Sequence, residues 1–258
     1  MKRFLLISTA MVLGFGVSAY AQDAEVELQE TAPSSSWGYT GAGAAAYWGT
    51  LNSSYDACAS GQAQSPINIS EYLQETNMAP IEPGYVDSGL AVYNNGKTIE
   101  VNFDEGSYFT NNGQQYNLMK LTFHTPSEHY LDGAPYPMEA QFVHQTESGA
   151  VGIVSVMMKL GAHNPVIEGV WQNAPITAGE TKEVDSVKIN AAALMPEDLS
   201  HYHYTGSLTT PPCTEGVEWF VMKDTMELSE IQLKAFQALF PVNARPIQPL
   251  NDRVVSGN

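Results

Sequence analysis

The sequence predicts a mostly-β fold with minor helices, and three observations carry that prediction. First, strand-like runs of alternating apolar and polar residues recur at 89–93, 98–103, 116–124, 140–145, 151–159 and 217–223. Second, turn-forming clusters separate them, among them Asn94-Asn95-Gly96, Asp104-Glu105-Gly106 and Asn111-Asn112-Gly113. Third, helical periodicity is scarce. It is clearest over 229–239, where Ser229 is placed to cap the first turn, and a second short helix is expected over 164–173.

Taken from its start, the chain opens with a Sec-type export signal over 1–21. Lys2 and Arg3 form the charged beginning, an apolar run follows, and Ala19-Tyr20-Ala21 is an A-x-A cleavage site. The apolar run is too short for a membrane span and no stop-transfer segment follows, so the mature chain is not expected to enter a membrane. No cysteine follows the cleavage site to carry a lipid anchor. A periplasmic or secreted location is expected. Residues 22–36 are acidic, then rich in Ser, and offer little apolar surface to bury, so they are expected to form a mobile arm. The remainder, 37–258, reads as one domain.

Formal net charge is −17, from 28 acidic and 11 basic residues. Loss of the leader, which holds two basic residues and no acid, makes the mature chain more negative still. A nucleic-acid partner and attachment to an anionic membrane surface are both excluded by that charge. Cys58 and Cys213 are the only cysteines. In an exported chain such an isolated pair is most simply one disulfide, and neither has a basic or histidine neighbour in sequence that would activate a thiol.

The stretch 118–144 organises the chemistry. On one strand Lys120, Thr122 and His124 are spaced two apart, and on another Glu139, Gln141 and Val143 are, so each trio shares a face. If the strands pair antiparallel, Thr122, His124 and Gln141 converge. Three imidazoles on such a patch would hold a catalytic zinc with an open fourth position. Here the patch supplies one, His124.

At these motifs the chain resembles the α-class carbonic anhydrases, over about residues 48–253. Gln64-Ser65-Pro66-Ile67-Asn68-Ile69 is similar to the family's early Q-S-P-I-x-I segment. Asn94-Asn95-Gly96 resembles its N-N-G turn, and Phe123-His124-Thr125-Pro126-Ser127-Glu128-His129 its bacterial F-H-x-P-S-E-H signature. The run from Tyr204 to Cys213 resembles Y-x-G-S-L-T-T-P-P-C, and the run from Asn243 to Leu250 the closing N-x-R-P-x-Q-P-L. Five motifs in order are a specific signal.

The resemblance implies a large, twisted, mainly antiparallel central sheet with small peripheral helices. It implies a Cys58–Cys213 disulfide and, for the family, CO2 hydration by a zinc-bound hydroxide. It also assigns positions. Thr209 and Glu128 match the pair that orients the hydroxide; Val143, Leu208, Trp219 and Thr210 match the substrate pocket; Lys97 stands at the proton-shuttle position. The metal positions are Thr122, His124 and Gln141, where the family has three histidines, so only His124 is a ligand kept. Lys120 and Glu139 match the residues behind the ligands, and a Lys120–Glu139 ion pair filling the metal position is expected. His129 and His144 match buried structural histidines. His163 is expected on the surface, and His201 and His203 as a solvated pair on one face of an extended segment.

A hydroxyl and an amide are poor zinc ligands beside imidazole, and an ammonium near pKa 10.4 is a poor shuttle at neutral pH. The expectation is therefore an exported pseudoenzyme without cofactor. It would bind an unidentified protein or small ligand through the remnant cleft or its acidic surface. The alternative is an active zinc enzyme with rearranged ligands, acting on CO2 and bicarbonate.

Overall fold

The computed structural model describes residues 36–75 and 77–258. The expected leader lies outside them, as does the expected arm apart from Ser36. Among the described residues no helix is long and apolar enough to cross a membrane.

A 13-stranded sheet dominates. Its main path runs Thr181–Ile189, Ser88–Asn94, Ile99–Asn102, Gln114–His124, Met138–Gln145, Val151–Leu160, Glu215–Met222, His201–Ser207, Ser256–Gly257 and Leu73–Gln74. Pairing is mainly antiparallel. The exceptions are Val151–Leu160 with both Glu215–Met222 and Met226–Leu228, and Ser256–Gly257 with Leu73–Gln74. The six runs read from the sequence are all strands. Of the strands that went unread, three are the longest. Thr181–Ile189 is an edge strand whose side chains are mostly exposed, so it lacks the alternation that marks a half-buried strand. Tyr108–Asn111 is short, and is joined to Gln114–His124 through Asn112 and Gly113 at φ 51° and 75°. Those left-handed values suit a tight hairpin and explain the Asn-Gly pair. His201–Ser207 was read only as extended backbone.

Both expected helices form. Pro165–Asn173 is capped by the Asn164 side chain, which accepts from the amides of Val166 and Ile167, with Pro165 in the first turn. Glu230–Leu239 is capped by Ser229 in a reciprocal arrangement with Gln232.

The two central strands are buried on both faces, which sets the site. Leu121, Phe123, Ala140 and Phe142 enter the larger apolar core with Phe109 and Phe220. Each fully buried Phe contributes about 1.5–3 kcal/mol. The alternate positions therefore point to the opposite face, and these are Thr122, His124, Glu139, Gln141 and Val143. That face carries a second core around Ile67, Met157, Tyr204 and Trp219, against which Val143 and Leu208 pack. Cys58 and Cys213 are bonded, as expected, closing a separation of 155 residues. Such a crosslink contributes roughly 2–5 kcal/mol.

Candidate functional site

Register brings the expected patch together. Gln141 lies opposite Thr122, and Glu139 opposite His124. Thr122, His124 and Gln141 are 7%, 3% and 3% exposed and form one nearly buried patch, the floor of the candidate site.

His124 is held by the main chain. Its Nδ1 lies 2.8 Å from the carbonyl oxygen of Asn243. A carbonyl only accepts, so Nδ1 carries the proton and Nε2 presents a lone pair. The Asn243 side chain fixes that carbonyl by accepting from the Thr125 amide at 2.7 Å and donating to the Lys97 and Phe123 carbonyls at 3.0 and 2.9 Å. Thr122 Oγ1 is 3.5 Å from His124 Nε2.

Behind this floor lies a layer of buried charge. Glu139 is fully buried and accepts from the amides of Glu128 and His129, both at 2.8 Å, and from Ser155 Oγ at 2.7 Å. It also faces His129 Nδ1 at 2.9 Å. Burial alone would raise its pKa, but the His129 imidazole and the hydrogen bonds from His129 and Ser155 outweigh it and hold the carboxyl at about 2. His129 continues to the Tyr204 hydroxyl at 2.6 Å, which meets Ser65 Oγ at 2.8 Å. Burial pushes the Tyr204 phenol well above its ordinary range.

Glu128 is equally buried. One oxygen accepts from the Arg245 amide at 2.9 Å and the other from Gln141 Nε2 at 2.8 Å. Gln141 Nε2 also donates to Glu139 Oε1 at 3.0 Å. One amide thus bridges two buried carboxylates. The Arg245 guanidinium turns elsewhere, to Gln64 Oε1, the Ser65 carbonyl and the Cys58 carbonyl at 2.9, 2.8 and 3.0 Å.

One expected contact is absent. Lys120 does not reach Glu139. Its ammonium donates to Glu100 Oε1 at 2.9 Å, and its side chain is 36% exposed. The reason is register: Lys120 lies opposite Val143, two positions from the level of Thr122, whereas Glu100 lies on the adjoining strand opposite Thr122. Glu139 already has five polar partners, so the interior offered the lysine no vacancy. Among the described residues no hydrogen bond joins Thr209 to Glu128, whose oxygens accept from Gln141 Nε2 and the Arg245 amide.

Val143, Leu208 and Trp219 do meet, in the second core, with the Trp219 indole donating to the Ser207 carbonyl at 3.0 Å. Thr210 is half-buried, and its carbonyl accepts from the Cys213 amide at 2.9 Å. Lys97 places its ammonium 5.3 Å from the Trp37 ring centre. His144 is fully buried between the Phe142 carbonyl and the Tyr85 hydroxyl, at 2.8 and 3.0 Å. Burial lowers its pKa to about 3. His203 pairs with Glu218 at 2.8 Å, while His201 is fully buried rather than solvated. The sequence reading missed the roles of Asn243, Arg245 and Glu100. The first two stand in the closing motif that carried the resemblance, so the signal was present without a role attached.

Thr122, His124 and Gln141 together present one hydroxyl, one imidazole and one amide. Zinc prefers three or four nitrogen, sulfur or carboxylate ligands. Among the described residues no group of three or more His, Cys, Asp or Glu could hold a metal ion. The profile of the eukaryotic-type carbonic anhydrase family matches residues 44–258, and the chain belongs to that family. A carbonic anhydrase of Neisseria gonorrhoeae is 41% identical over 221 residues, 85% of this chain and 86% of the relative. One from Nostoc is 35% identical over 248 residues, 95% and 94% of the two chains. Among solved structures, α-carbonic anhydrase from Thermovibrio ammonificans with the inhibitor sulfanilamide superposes with a TM-score of 0.83 at 39% identity, covering 86% of this chain and 98% of the other. Dioscorin complexed with ascorbate gives 0.78 at 27% identity, covering 86% and 97%.

Proposed function

We propose that this chain is an exported carbonic-anhydrase-fold protein that holds no catalytic zinc, lacks appreciable CO2 hydratase activity, and acts by binding through its remnant cleft or acidic surface. The observation that carries the reading is Gln141. A histidine there would offer a ring nitrogen to metal while donating its other N–H to Glu139. Gln141 keeps the donation, at 3.0 Å, and brings no ring nitrogen. With Thr122 at a second position, one imidazole remains. Without zinc no bound water is brought to a pKa near 7, the known behaviour of carbonic anhydrase zinc, and hydration loses its nucleophile. Thr209 and Glu128 then act as packing and hydrogen-bonding residues, and Lys97 serves no shuttle. Export fits the disulfide and the A-x-A leader. The partner is an unidentified protein or small ligand.

The alternative is an active zinc enzyme with rearranged ligands that hydrates CO2 to bicarbonate. The names of the bacterial relatives favour it. Elemental analysis of untagged mature protein, run beside a CO2 hydration assay, decides between them. The zinc-free reading expects well under one zinc per chain and no hydration above background. Stoichiometric zinc with chelator-sensitive hydration would sink it.

A further inference from the structure

We infer that the patch of Thr122, His124 and Gln141, the floor of the candidate site, binds a small cation with several N–H donors, an ammonium or primary alkylammonium group; this rests on the zinc-free reading above. The argument is the direction of every hydrogen bond around three side chains. Gln141 has two amide hydrogens, and both are engaged, by Glu128 Oε2 at 2.8 Å and Glu139 Oε1 at 3.0 Å. The carbonyl of the same amide makes no hydrogen bond among the described residues. His124 Nδ1 is committed to the Asn243 carbonyl at 2.8 Å, which leaves Nε2 a lone pair. Thr122 Oγ1 stands 3.5 Å from that lone pair and lies opposite Gln141 in the ladder. Its single hydrogen can serve one acceptor at a time. The floor is therefore rich in acceptors and nearly devoid of donors.

Charge points the same way. Directly behind the floor are Glu128 and Glu139, both fully buried. The nearby cations are otherwise engaged: Lys120 with Glu100 at 2.9 Å, Lys97 with the Trp37 ring at 5.3 Å, and the Arg245 guanidinium with Gln64 and two carbonyls. Bicarbonate would face three lone pairs backed by two carboxylates. A bare alkali ion would match the two oxygens but not the imidazole nitrogen. An ammonium head offers three donors to three acceptors, each strengthened by its charge. The replacements have thus left the floor selective for cations while exchanging metal coordination for hydrogen bonding.

The test is 15N-resolved imidazole NMR of the mature wild-type chain at about pH 8, with zinc measured on the same sample. Methylammonium chloride is titrated against sodium chloride at equal ionic strength. The expected result is a saturable movement of the His124 Nε2 resonance with methylammonium alone. Thr122→Val should weaken that binding about tenfold, the loss of one hydrogen bond to a charged group, and Thr122→Ser should restore it. No saturable shift, the same shift in sodium chloride, or undiminished binding by a folded Thr122→Val would overturn the inference while low zinc left the zinc-free reading standing. Stoichiometric zinc would overturn both.

Discussion

The floor of the candidate site and the layer behind it match the resembled motifs to different degrees. On the floor, two of the three positions that the resemblance assigns to metal hold Thr122 and Gln141. Behind it, Glu128, Glu139, His129, Tyr204 and Ser65 match the resembled motifs in sequence and are joined by contacts of 2.6–2.9 Å. The floor keeps slight exposure, at 7%, 3% and 3% for Thr122, His124 and Gln141; the rear layer ties the 125–130 turn, both central strands and the Arg245 segment together in a buried interior. A lost ligand leaves an exchangeable polar group. A lost rear carboxylate leaves several buried donors unpaired, which folding itself cannot tolerate. Stability therefore holds the rear layer in place whether or not the site carries out chemistry.

The largest effect should come from breaking that layer. Glu139→Ala strands two backbone amides, the Ser155 hydroxyl, the Gln141 amide and the His129 imidazole. The expected loss is about 5 kcal/mol or more, read from urea denaturation, or failure to fold. A loss under about 1 kcal/mol would mean that the layer is not the structural element described.

Next is repair of the floor. Thr122→His combined with Gln141→His gives three imidazoles on the floor, the one at 141 in front of Glu139, which already accepts from that position. The variant should take up zinc stoichiometrically. Zinc at a thousandfold excess over its Kd should raise stability by about 4 kcal/mol, and slow CO2 hydration should appear, limited by Lys97 at the shuttle position. Failure of a folded double variant to bind zinc would show that the rear layer has drifted with the floor.

Acid should act through the interior. His144 has its pKa lowered from 6.5 to about 3, chiefly by burial. The folded state resists the proton that the unfolded chain accepts, so this stability is fully present above pH 6.5 and is lost as pH falls towards 3. Glu139 has its pKa lowered from 4.5 to about 2, so its share is present above pH 4.5 and is lost as pH falls towards 2. His144→Gln should remove the upper window. Wild type should lose about 3 kcal/mol more than the variant between about pH 6.5 and pH 4. Parallel curves would refute the role given to His144.

How far the sequence revealed these two regions follows from what each is made of. The fold was legible because the central strands alternate faces and their turns carry Asn-Gly signals. The convergence of Thr122, His124 and Gln141 was legible because side-chain direction in a strand has period two. The Lys120 partner was not, since it lies on the far neighbouring strand, and which strands flank the site is a fact of sheet order. Glu100 is also the only carboxylate in that stretch of strand, with nothing local to mark it. Likewise the grip of Asn243 on His124 spans 119 residues and uses a main-chain carbonyl, a group that every residue possesses and no side-chain pattern reports.

The smallest effect concerns that corrected pair. Were Lys120 buried against Glu139, Lys120→Met would strand a carboxylate at about 3–5 kcal/mol. Paired instead with Glu100, and with its side chain 36% exposed, it should behave as a surface ion pair. Glu100 also keeps the Asn95 amide at 2.6 Å after the change, so its charge is not abandoned. Lys120→Met should therefore cost under about 1 kcal/mol in urea denaturation, and less at higher salt, because exposed pairs are screened. The same reasoning separates Lys120 from the metal positions. Adding Lys120→Gln to the two-histidine variant should change zinc affinity by less than about tenfold, since a compensated ammonium at the rim repels the ion weakly. A loss of about 3 kcal/mol from Lys120→Met, or a large gain in zinc affinity from Lys120→Gln, would place the ammonium on the floor after all and erase the distinction between the two layers at that point.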